Sequence, residues 1–483
     1  MLPVDKIREF SVTMGKINIG ETLKNVESLM KSDKKSSPQM RAMMELLVVI
    51  ITLLIAKLGL NSKNSSTPPS KDQNRAKKKA DGNGRKPGGQ NGHAGSTIKK
   101  EQNPDKIEVI KVDRAILPQS EYSFVGYETR QVIDIEISRV VTEYRAEILQ
   151  DITGREFVAP FPEGVTRPVQ YGDSVKAQAV YMSVHQLLPY ERVGEYFENQ
   201  CGISVSAGSL VNFNREAYDR LAPFELLAKS SLQAESLLHS DETGINVNGK
   251  NIWLHTASSD KWTLFFPHEK RGGEAMIAMG ILANFRGILC HDHWKPYFQF
   301  NCLHALCNAH HIRELERAWE HDKQQWAKSM QNLLVEMSHA KDLASGALAE
   351  NDVVAFVTRY RNILDNADVE CPAPEKKTNG KRGRQARSKS RNLLERLRNF
   401  ETETLRFLHN SIVPFTNNQG ERDIRMTKVQ QKISGCFRAM DGAKIFCRIR
   451  SYLSTCNKQG VGPTEALRSL FDGDLPDFIR LAT

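Results

Sequence analysis

The chain has 483 residues and a formal net charge of +10. Its length allows two to four domains with sizeable cores, and its positive charge favours a polyanionic partner such as DNA. Eight cysteines without a Cys-x-x-Cys pair do not make a disulfide framework, which indicates a reducing compartment. The most apolar run, residues 46–56, has eleven uncharged residues. A bilayer span needs about 20, so we expect no membrane segment and a cytoplasmic protein.

Residues 1–60 favour helix. Met44, Leu47, Ile51, Leu54 and Leu58 recur at alternating spacings of three and four, as in a short zipper helix. A helix docked on the protein's own core would show the same stripe. Self-association and internal docking therefore both remain open.

Residues 61–100 combine few apolar side chains with strong positive charge. Ten Lys and Arg residues occur here with two acids, a net charge of +8. Such a composition buries too little apolar surface to offset the entropy of ordering. We interpret the stretch as a disordered basic arm that contacts DNA phosphates, with a solubilising linker as the alternative. The cations expected to bind DNA are Lys77, Lys78, Lys79, Arg85 and Lys86.

Residues 101–170 alternate between apolar and other side chains, most clearly at residues 131–138. This period predicts a small β-rich domain.

Residues 171–225 predict three helices, at residues 173–186, from Pro189 onward, and at residues 206–218. A short turn with Gly202 joins the last two, which is typical of a helix-turn-helix. The third helix carries few cations, so a purely structural helical hairpin is the alternative.

Two acids follow apolar stretches that predict buried strands. Asp241 follows residues 236–240, and Asp292 follows the strand that ends near His291. A carboxylate at the end of a strand has a rigid support, as metal ligands and general bases require. The alternative role for Asp292 is to cap the next turn.

Between these acids, Asn248-Gly249 predicts a β-hairpin. A third strand is expected at residues 262–266 and a helix at residues 274–283. Three antiparallel strands, a helix and a further strand are typical of the ribonuclease H-like α/β fold. In that fold, acids on the first and fourth strands lie side by side.

A third acid, Glu421, opens a predicted helix. Arg425, Lys428 and Lys432 share its face, as expected for a site that holds a metal ion and a polyanion together. An ordinary solvated face is the alternative. Three apolar residues predict the face that docks on the sheet: Met426, Val429 and Ile433.

The 128 residues between Asp292 and Glu421 exceed what one crossover needs. Helical patterns at residues 326–348 and 353–364 predict a helical insertion. Within it, residues 376–391 contain eight cations and no acid, which predicts a mobile loop over DNA.

Several motifs together resemble one known family. They are NSKNSSTPPS (61–70), GRKPGGQNGHAG (84–95), HSDETG (239–244), CHDHWKPY (290–297), LCNAHHIRELE (306–316) and VPFTNNQGERDIRMTKVQQKISGCFR (413–438). The chain resembles a DDE-type transposase of bacterial insertion sequences, of the insertion-sequence-66 family (TnpC-type), over nearly its whole length. It departs from many relatives at the paired cysteines of a zinc ribbon, because no cysteine precedes residue 200. We therefore assign no zinc to that region.

The resemblance implies catalytic and metal-ligating roles for Asp241, Asp292 and Glu421. It implies two Mg²⁺ or Mn²⁺ ions, cleavage of the element's ends, and joining of the 3′ ends to target DNA. His310 and Cys307 take the positions of the family's Cys-x-x-His element. We expect His310 to position a phosphate or support the site, with zinc or core structure involving Cys302, Cys307 and neighbouring histidines as the alternative.

The expected architecture is a ribonuclease H-like α/β core interrupted by a helical insertion, with N-terminal helical and small β-containing DNA-binding regions. Its boundaries are 1–60 (zipper-like), 61–100 (basic arm), 101–170 (β-rich), 171–225 (helix-turn-helix-like), 226–320 (core, first part), 321–411 (insertion), 412–458 (core, second part) and 459–483 (tail).

The expected partners are the element's terminal repeats, target DNA, a second copy of the chain and small accessory proteins, in a bacterial cytoplasm near the nucleoid. Cations expected to bind DNA near the third acid are Arg422, Arg425, Lys428, Lys432 and Arg438. Two functional alternatives stay open: a nuclease that hydrolyses without joining, and a non-catalytic DNA-binding relic.

Overall fold

The computed structural model describes residues 13–14, 17–18, 25–26, 28–30, 37–58, 61, 63–65, 98–344, 346–374 and 387–480. No helix in these stretches is both long and apolar enough to cross a membrane. The chain divides into two compact units, one of residues 1–75, 161–196 and 204–483, the other of residues 76–160 and 197–203.

The N-terminal part of the first unit is helical only in part. Two short strands, β1 (Thr13–Met14) and β2 (Ile17–Asn18), pair within the region for which the sequence predicts helix. Helix α1 (Pro38–Leu58) carries the predicted zipper stripe, and its described members are exposed. Self-association through α1 stays a prediction, since the side chains of Leu54 and Leu58 lie outside the described residues.

The motif that begins at residue 61 folds back on itself. Asn61 Oδ1 accepts the backbone N–H of Lys63 at 2.8 Å, and Ser65 Oγ donates to Asn61 O at 2.6 Å. Buried Asn64 donates from Nδ2 to Glu320 Oε2 at 2.8 Å, which anchors this turn on the first unit. The basic-arm residues Lys77, Lys78, Lys79, Arg85 and Lys86 lie outside the described residues.

Residues 98–170 contain little regular structure. The strands described there are β3 (Ile148–Gln150) and β4 (Glu156–Val158), which form an antiparallel pair. No strand is assigned to residues 131–138, where the alternation predicts one. Val132 and Ile135 are 92% and 83% exposed, so in this described stretch neither face of the alternation is covered.

Helices follow close to the predicted positions. Their bounds are α2 (Asp173–Val180), which continues as a π-helical turn at Tyr181–His185, α3 (Tyr190–Cys201), α4 (Ala207–Arg220) and α5 (Ala222–Ala234). Both cations of α4 contact the protein itself. Arg215 pairs with Asp441 at 3.2 Å, and Arg220 donates to the carbonyl oxygen of Phe471 at 2.7 Å. These contacts fit the structural hairpin better than base reading.

One five-stranded sheet forms the centre of the first unit, in the order β7-β6-β5-β8-β9. The strands β5, β6 and β7 are antiparallel, and β8 and β9 run parallel to β5. Their bounds are β5 (Leu237–Val247), β6 (Lys250–Ser258), β7 (Thr263–His268), β8 (Ile288–His291) and β9 (Leu303–Leu306).

The turn between β5 and β6 confirms the predicted hairpin. Asn248 and Gly249 have φ angles of 49° and 77°, the positive values that a two-residue type I′ turn requires. Strand β5 is longer than predicted, because the hairpin pairing extends it beyond Asp241 to Val247. Asp241 therefore lies within β5 rather than after its end, whereas Asp292 directly follows β8 as predicted.

Further helices precede and follow the insertion. They are α6 (Gly273–Met279), α7 (Asn308–Glu320), α12 (Asn418–Ile433), α13 (Met440–Lys458), α14 (Pro463–Asp472) and α15 (Asp477–Arg480). Strand β7 lies at the edge, where backbone N–H groups need partners. Helix α13 supplies them, since Phe265 N donates to Ser451 Oγ at 2.8 Å and Thr263 N to Thr455 Oγ1 at 3.1 Å.

The insertion shares one apolar core with strands β8 and β9 and with α7. Its helices are α8 (Gln325–Leu343), α9 (Glu350–Glu370), α10 (Lys389–Asn399) and α11 (Glu401–His409). Trp326, Met330 and Leu397 are buried in this core, and Tyr360 donates from its hydroxyl to Leu397 O at 2.8 Å. Most of the predicted basic loop lies outside the described residues, which resume at residue 387.

Candidate active site

Two neighbouring parallel strands place Asp241 and Asp292 at the same level. His239 of β5 pairs with Cys290 of β8, and each acid lies two residues further along its chain. Asp241 Oδ1 accepts the backbone N–H of Glu242 at 2.9 Å, and Asp292 Oδ1 accepts that of Trp294 at 2.9 Å. The sheet register thus brings both carboxyl groups to one end of the β5–β8 pair.

The two aspartates share a buried, negatively charged environment. Burial raises the pKa of Asp241 well above its usual range, and the nearby carboxylates of Glu242, Asp292 and Glu421 raise it further. Burial also raises the pKa of Asp292, against the lowering effect of Arg271 and Arg396. The charged forms of these acids are therefore disfavoured unless a cation compensates them.

Asn417 brings the third acid to this cluster. It precedes α12, and its Nδ2 donates to Ser240 O at 2.8 Å while its Oδ1 lies 2.8 Å from His239 Nδ1. These contacts fix the start of α12 on β5, so Glu421, in the first turn of α12, lies on the same side of the sheet as Asp241 and near enough to influence its pKa. Its influence on the pKa of Asp241 is the electrostatic sign of that proximity.

Glu421 approaches two groups of α7 without forming a hydrogen bond to either. Its Oε1 lies 4.0 Å from His310 Nδ1 and 3.9 Å from Arg313 Nη2. Within the described part of the chain, Glu421 Oε1 and His310 Nδ1 are buried atoms that lack a hydrogen-bond partner. Burial, and then the positive charges of Arg313 and Arg396, lower the pKa of His310 to about 4. Its imidazole is therefore neutral at pH 7 and can accept a hydrogen bond or bind a metal ion.

The structure separates the predicted cysteine and histidine set. The Cys307 Sγ, one His310 ring nitrogen and one Glu421 carboxylate oxygen lie within 4.8 Å of one another. Cys302 lies instead beside His304, with Sγ 4.0 Å from Nε2. Cys302 is therefore not part of the group that Cys307 and His310 form, whereas zinc or core structure at Cys307 and the neighbouring histidines stays a prediction.

A residue without a predicted role, Glu242, is central to the site. Its side chain is 1% exposed, and Arg271 donates to its Oε1 from Nη2 at 2.7 Å and from Nε at 3.0 Å. Tyr297 donates from its hydroxyl to Oε2 at 2.6 Å. The Arg271 guanidinium lies 4.7 Å from the ring centre of Trp253 and 4.2 Å from that of Trp294.

This arrangement links Glu242 to the backbone beside Asp292, because Trp294 both stacks on Arg271 and donates its N–H to Asp292. The sequence offered two signals for this arrangement: the adjacent acids Asp241 and Glu242, and the tryptophan two residues after Asp292. Their connection through Arg271 was not visible, since it depends on contacts distant in sequence.

The predicted apolar face of α12 is wrong. Val429 and Ile433 are 42% and 47% exposed, whereas Ile424, Thr427 and Gln430 are buried. The Thr427 hydroxyl donates to Ile424 O at 2.8 Å, which allows a polar side chain to occupy the buried face. The helix is consequently rotated away from the orientation that its large apolar residues predict.

The predicted DNA-binding cations on and after α12 remain on the surface. All five are exposed: Arg422, Arg425, Lys428, Lys432 and Arg438. Lys428 also donates from Nζ to the carbonyl oxygen of Gly244 on β5. Exposed cations beside a cluster of acids can bind the phosphates of a nucleic acid backbone.

A family model described as Transposase IS66 family matches residues 168–445, and one described as a family of unknown function (DUF6444) matches residues 14–99. The first match covers 278 of the 483 residues and includes Asp241, Asp292, His310 and Glu421. No curated protein matches the chain.

Proposed function

Because the chain belongs to the transposase IS66 family, we propose that it cleaves the ends of its own DNA element and joins the 3′ ends to target DNA. A transposase acts on DNA, which agrees with the net charge of +10. Our proposal adds the chemistry: phosphodiester transfer at a site formed by Asp241, Asp292 and Glu421.

The observation that carries this proposal is the meeting of three acids from separate parts of the chain. Strands β5 and β8 supply two of them, and the first turn of α12 supplies the third. The sheet order and these positions support a ribonuclease H-like core in residues 226–320 and 412–458. An ordinary solvated face would not place Glu421, whose side chain is 28% exposed, near the largely buried Asp241.

Oxygen ligands of this kind suit Mg²⁺ or Mn²⁺. The fit is supported by the buried Glu421 Oε1, which among the described residues has no hydrogen-bond partner, and by the raised pKa of both aspartates. We propose that Asp241, Asp292 and Glu421 would together hold two such ions. When bound, the ions activate an oxygen nucleophile and stabilise the leaving oxygen.

The chain's own side chains orient the acids. Arg271 and Tyr297 hold Glu242, and Trp294 on Arg271 fixes the turn that presents Asp292. Neutral His310 would accept a hydrogen bond or take part in metal binding rather than attract phosphate by charge.

Exposed cations on α12 and after it would bind the DNA backbone next to the acids. We further propose that the chain associates with a second copy of itself and with small accessory proteins. We propose that it acts near the bacterial nucleoid. The described α1, with its exposed apolar stripe, is the segment that we expect to mediate self-association.

The test uses the purified full-length chain with labelled DNA from the flanks of its own gene, a target plasmid and Mg²⁺. Strand-resolved products should show cleavage at the element's ends and covalent joining of the 3′ ends to the plasmid. Cleavage without joining would support the nuclease alternative. DNA binding without cleavage would support the non-catalytic DNA-binding relic.

A further inference from the structure

Beside the two aspartates, Cys307, His310 and Glu421 form a ligand set of a different chemical character. Their sulfur, nitrogen and oxygen donor atoms lie within 4.8 Å of one another. We propose that these three side chains bind one transition-metal ion of the zinc type, with a fourth position open to water or to an oxygen of DNA. Three protein ligands and an open position are a common coordination for zinc outside structural sites.

The positions of the ligands are fixed by two helix starts. Cys307 directly precedes α7, His310 lies in the first turn of α7, and Glu421 lies in the first turn of α12. The backbone ties these turns together, because Asn308 N donates to Phe415 O at 3.1 Å. The ligand set is therefore built into the meeting of two elements and does not depend on a surface loop.

Two of the three donor atoms have no hydrogen-bond partner in the part of the chain that the structure describes. Within the described residues, His310 Nδ1 and Glu421 Oε1 are buried and accept no hydrogen bond, although they lie only 4.0 Å apart. Two light ligands of a tetrahedral zinc ion lie about 3.4 Å apart, as bond lengths of about 2.1 Å require. Side-chain movements of about 1 Å would therefore close the site.

Cys307 is a buried thiol with a polar contact on one side. Its Sγ accepts the backbone N–H of Asn417 at 3.1 Å. Burial raises the pKa of Cys307 to about 11, against the lowering effect of nearby backbone N–H groups. Without a metal ion the residue is therefore a neutral thiol, and binding of an ion would release its proton.

The neighbouring cation does not prevent binding. Arg313 Nη2 lies 3.9 Å from Glu421 Oε1, beyond hydrogen-bond distance, and its side chain is 28% exposed. It can therefore turn toward solvent, or toward a DNA phosphate, when an ion takes the carboxylate.

Sulfur and imidazole ligands select zinc-type ions, whereas carboxylates alone select Mg²⁺. Both sets include Glu421, so a zinc ion would withdraw this carboxylate from the aspartates. The expected consequence, inhibition of DNA cleavage by zinc, rests on the proposed function. The binding itself does not.

Cobalt(II) tests the binding directly, because a thiolate ligand gives it a strong charge-transfer absorption band. The full-length chain, stripped of metal with a chelator, should bind one tight equivalent of Co²⁺ with this band, in the absence of DNA. Cys307→Ser should lose the band, and His310→Gln and Glu421→Gln should each weaken binding by at least about tenfold. The matched control Cys302→Ser should keep both band and affinity, since Cys302 lies beside His304.

Thermal melting of each variant shows whether it is folded. If Cys307→Ser does not fold, the His310 and Glu421 variants decide, because Glu421 is 28% exposed and its replacement leaves the core intact. A band that survives in Cys307→Ser, disappears in Cys302→Ser, or is missing from the wild-type chain would overturn the proposal. Cobalt binding without any DNA cleavage would instead uphold it and refute the proposed function.

Discussion

The sheet and the helices contribute to the candidate site in different ways. On the sheet, Glu242 is 1% exposed and accepts hydrogen bonds from Arg271 and Tyr297. On the helices, Glu421 is 28% exposed and its Oε1 is left, among the described residues, without a hydrogen-bond partner. On the sheet Glu242 is compensated by Arg271 and Tyr297, whereas on the helices Glu421 keeps a carboxylate oxygen for a ligand. A site that must bind ions and DNA in turn needs both properties.

The largest effect on stability should come from the buried face of α12, on which the docking of Glu421 depends. Ile424 is 5% exposed and Val429 is 42% exposed. We expect Ile424→Ala to lower the free energy of unfolding by about 2–4 kcal/mol, because it leaves a cavity against the sheet. The control Val429→Ala should change it by less than about 0.5 kcal/mol. Urea unfolding of both variants checks this, and equal losses would mean that α12 is oriented differently.

This correction shows where the sequence stops being informative. The hairpin and the strands that carry Asp241 and Asp292 were predictable, because Asn248-Gly249 and apolar runs are local signals. The orientation of α12 was not, since Thr427 and Gln430 are buried with hydrogen bonds to nearby carbonyl groups. Hydrophobicity alone therefore selected the wrong face.

The hydrogen bonds between Glu242 and Arg271 could not be predicted from the sequence for a related reason. The partners of Glu242 are 29 and 55 residues away from it, so only the fold brings them together. For residues 131–138 the error is the opposite one, because the sequence predicts a strand that the structure does not contain. Their alternation is strong, but alternation predicts a strand only where another part of the protein covers one face.

A smaller loss of stability than for Ile424→Ala should follow from removing Arg271, the partner of Glu242. Arg271→Ala removes the cation that compensates buried Glu242. We expect the free energy of unfolding to fall by about 2 kcal/mol. The loss is smaller than for a fully buried ion pair because the Arg271 side chain is 39% exposed. Adding Glu242→Gln to that variant should restore part of the loss, since the amide needs no counter-charge. A double-mutant cycle by urea unfolding measures the coupling. If the second change deepened the loss, Glu242 would have a different stabilising partner.

The smallest effect should be the dependence of stability on pH. Burial and neighbouring carboxylates raise the pKa of Asp241 in the folded protein, so the folded chain holds this proton at pH values where the unfolded chain has released it. The resulting stabilisation is present below the unfolded pKa of about 3.9 and is lost as pH rises through the folded pKa.

Without metal, the wild-type chain should therefore lose stability relative to Asp241→Asn as pH rises in this window. Unfolding in the presence of a chelator at a series of pH values gives the difference between the two proteins. Adding Mg²⁺ should reduce the loss, because a cation compensates the carboxylate. If the stability difference between the wild-type chain and Asp241→Asn stayed constant with pH, burial and neighbouring carboxylates would not raise the pKa of Asp241 in the folded protein.

The central claim, that Asp241, Asp292 and Glu421 act as one site, is tested most directly by the joined DNA product. Asp241→Asn, Asp292→Asn and Glu421→Gln should each reduce Mg²⁺-dependent joining by at least about 10³-fold while end binding persists, since losing several kcal/mol of ion-mediated stabilisation has that effect. Glu336→Gln is the matched control: it changes an acid of α8 that pairs with Arg359 and is 51% exposed, and it should join normally. Loss of joining in the three variants alone is the predicted result. Normal joining by any of the three, or equal loss in Glu336→Gln, would contradict the account.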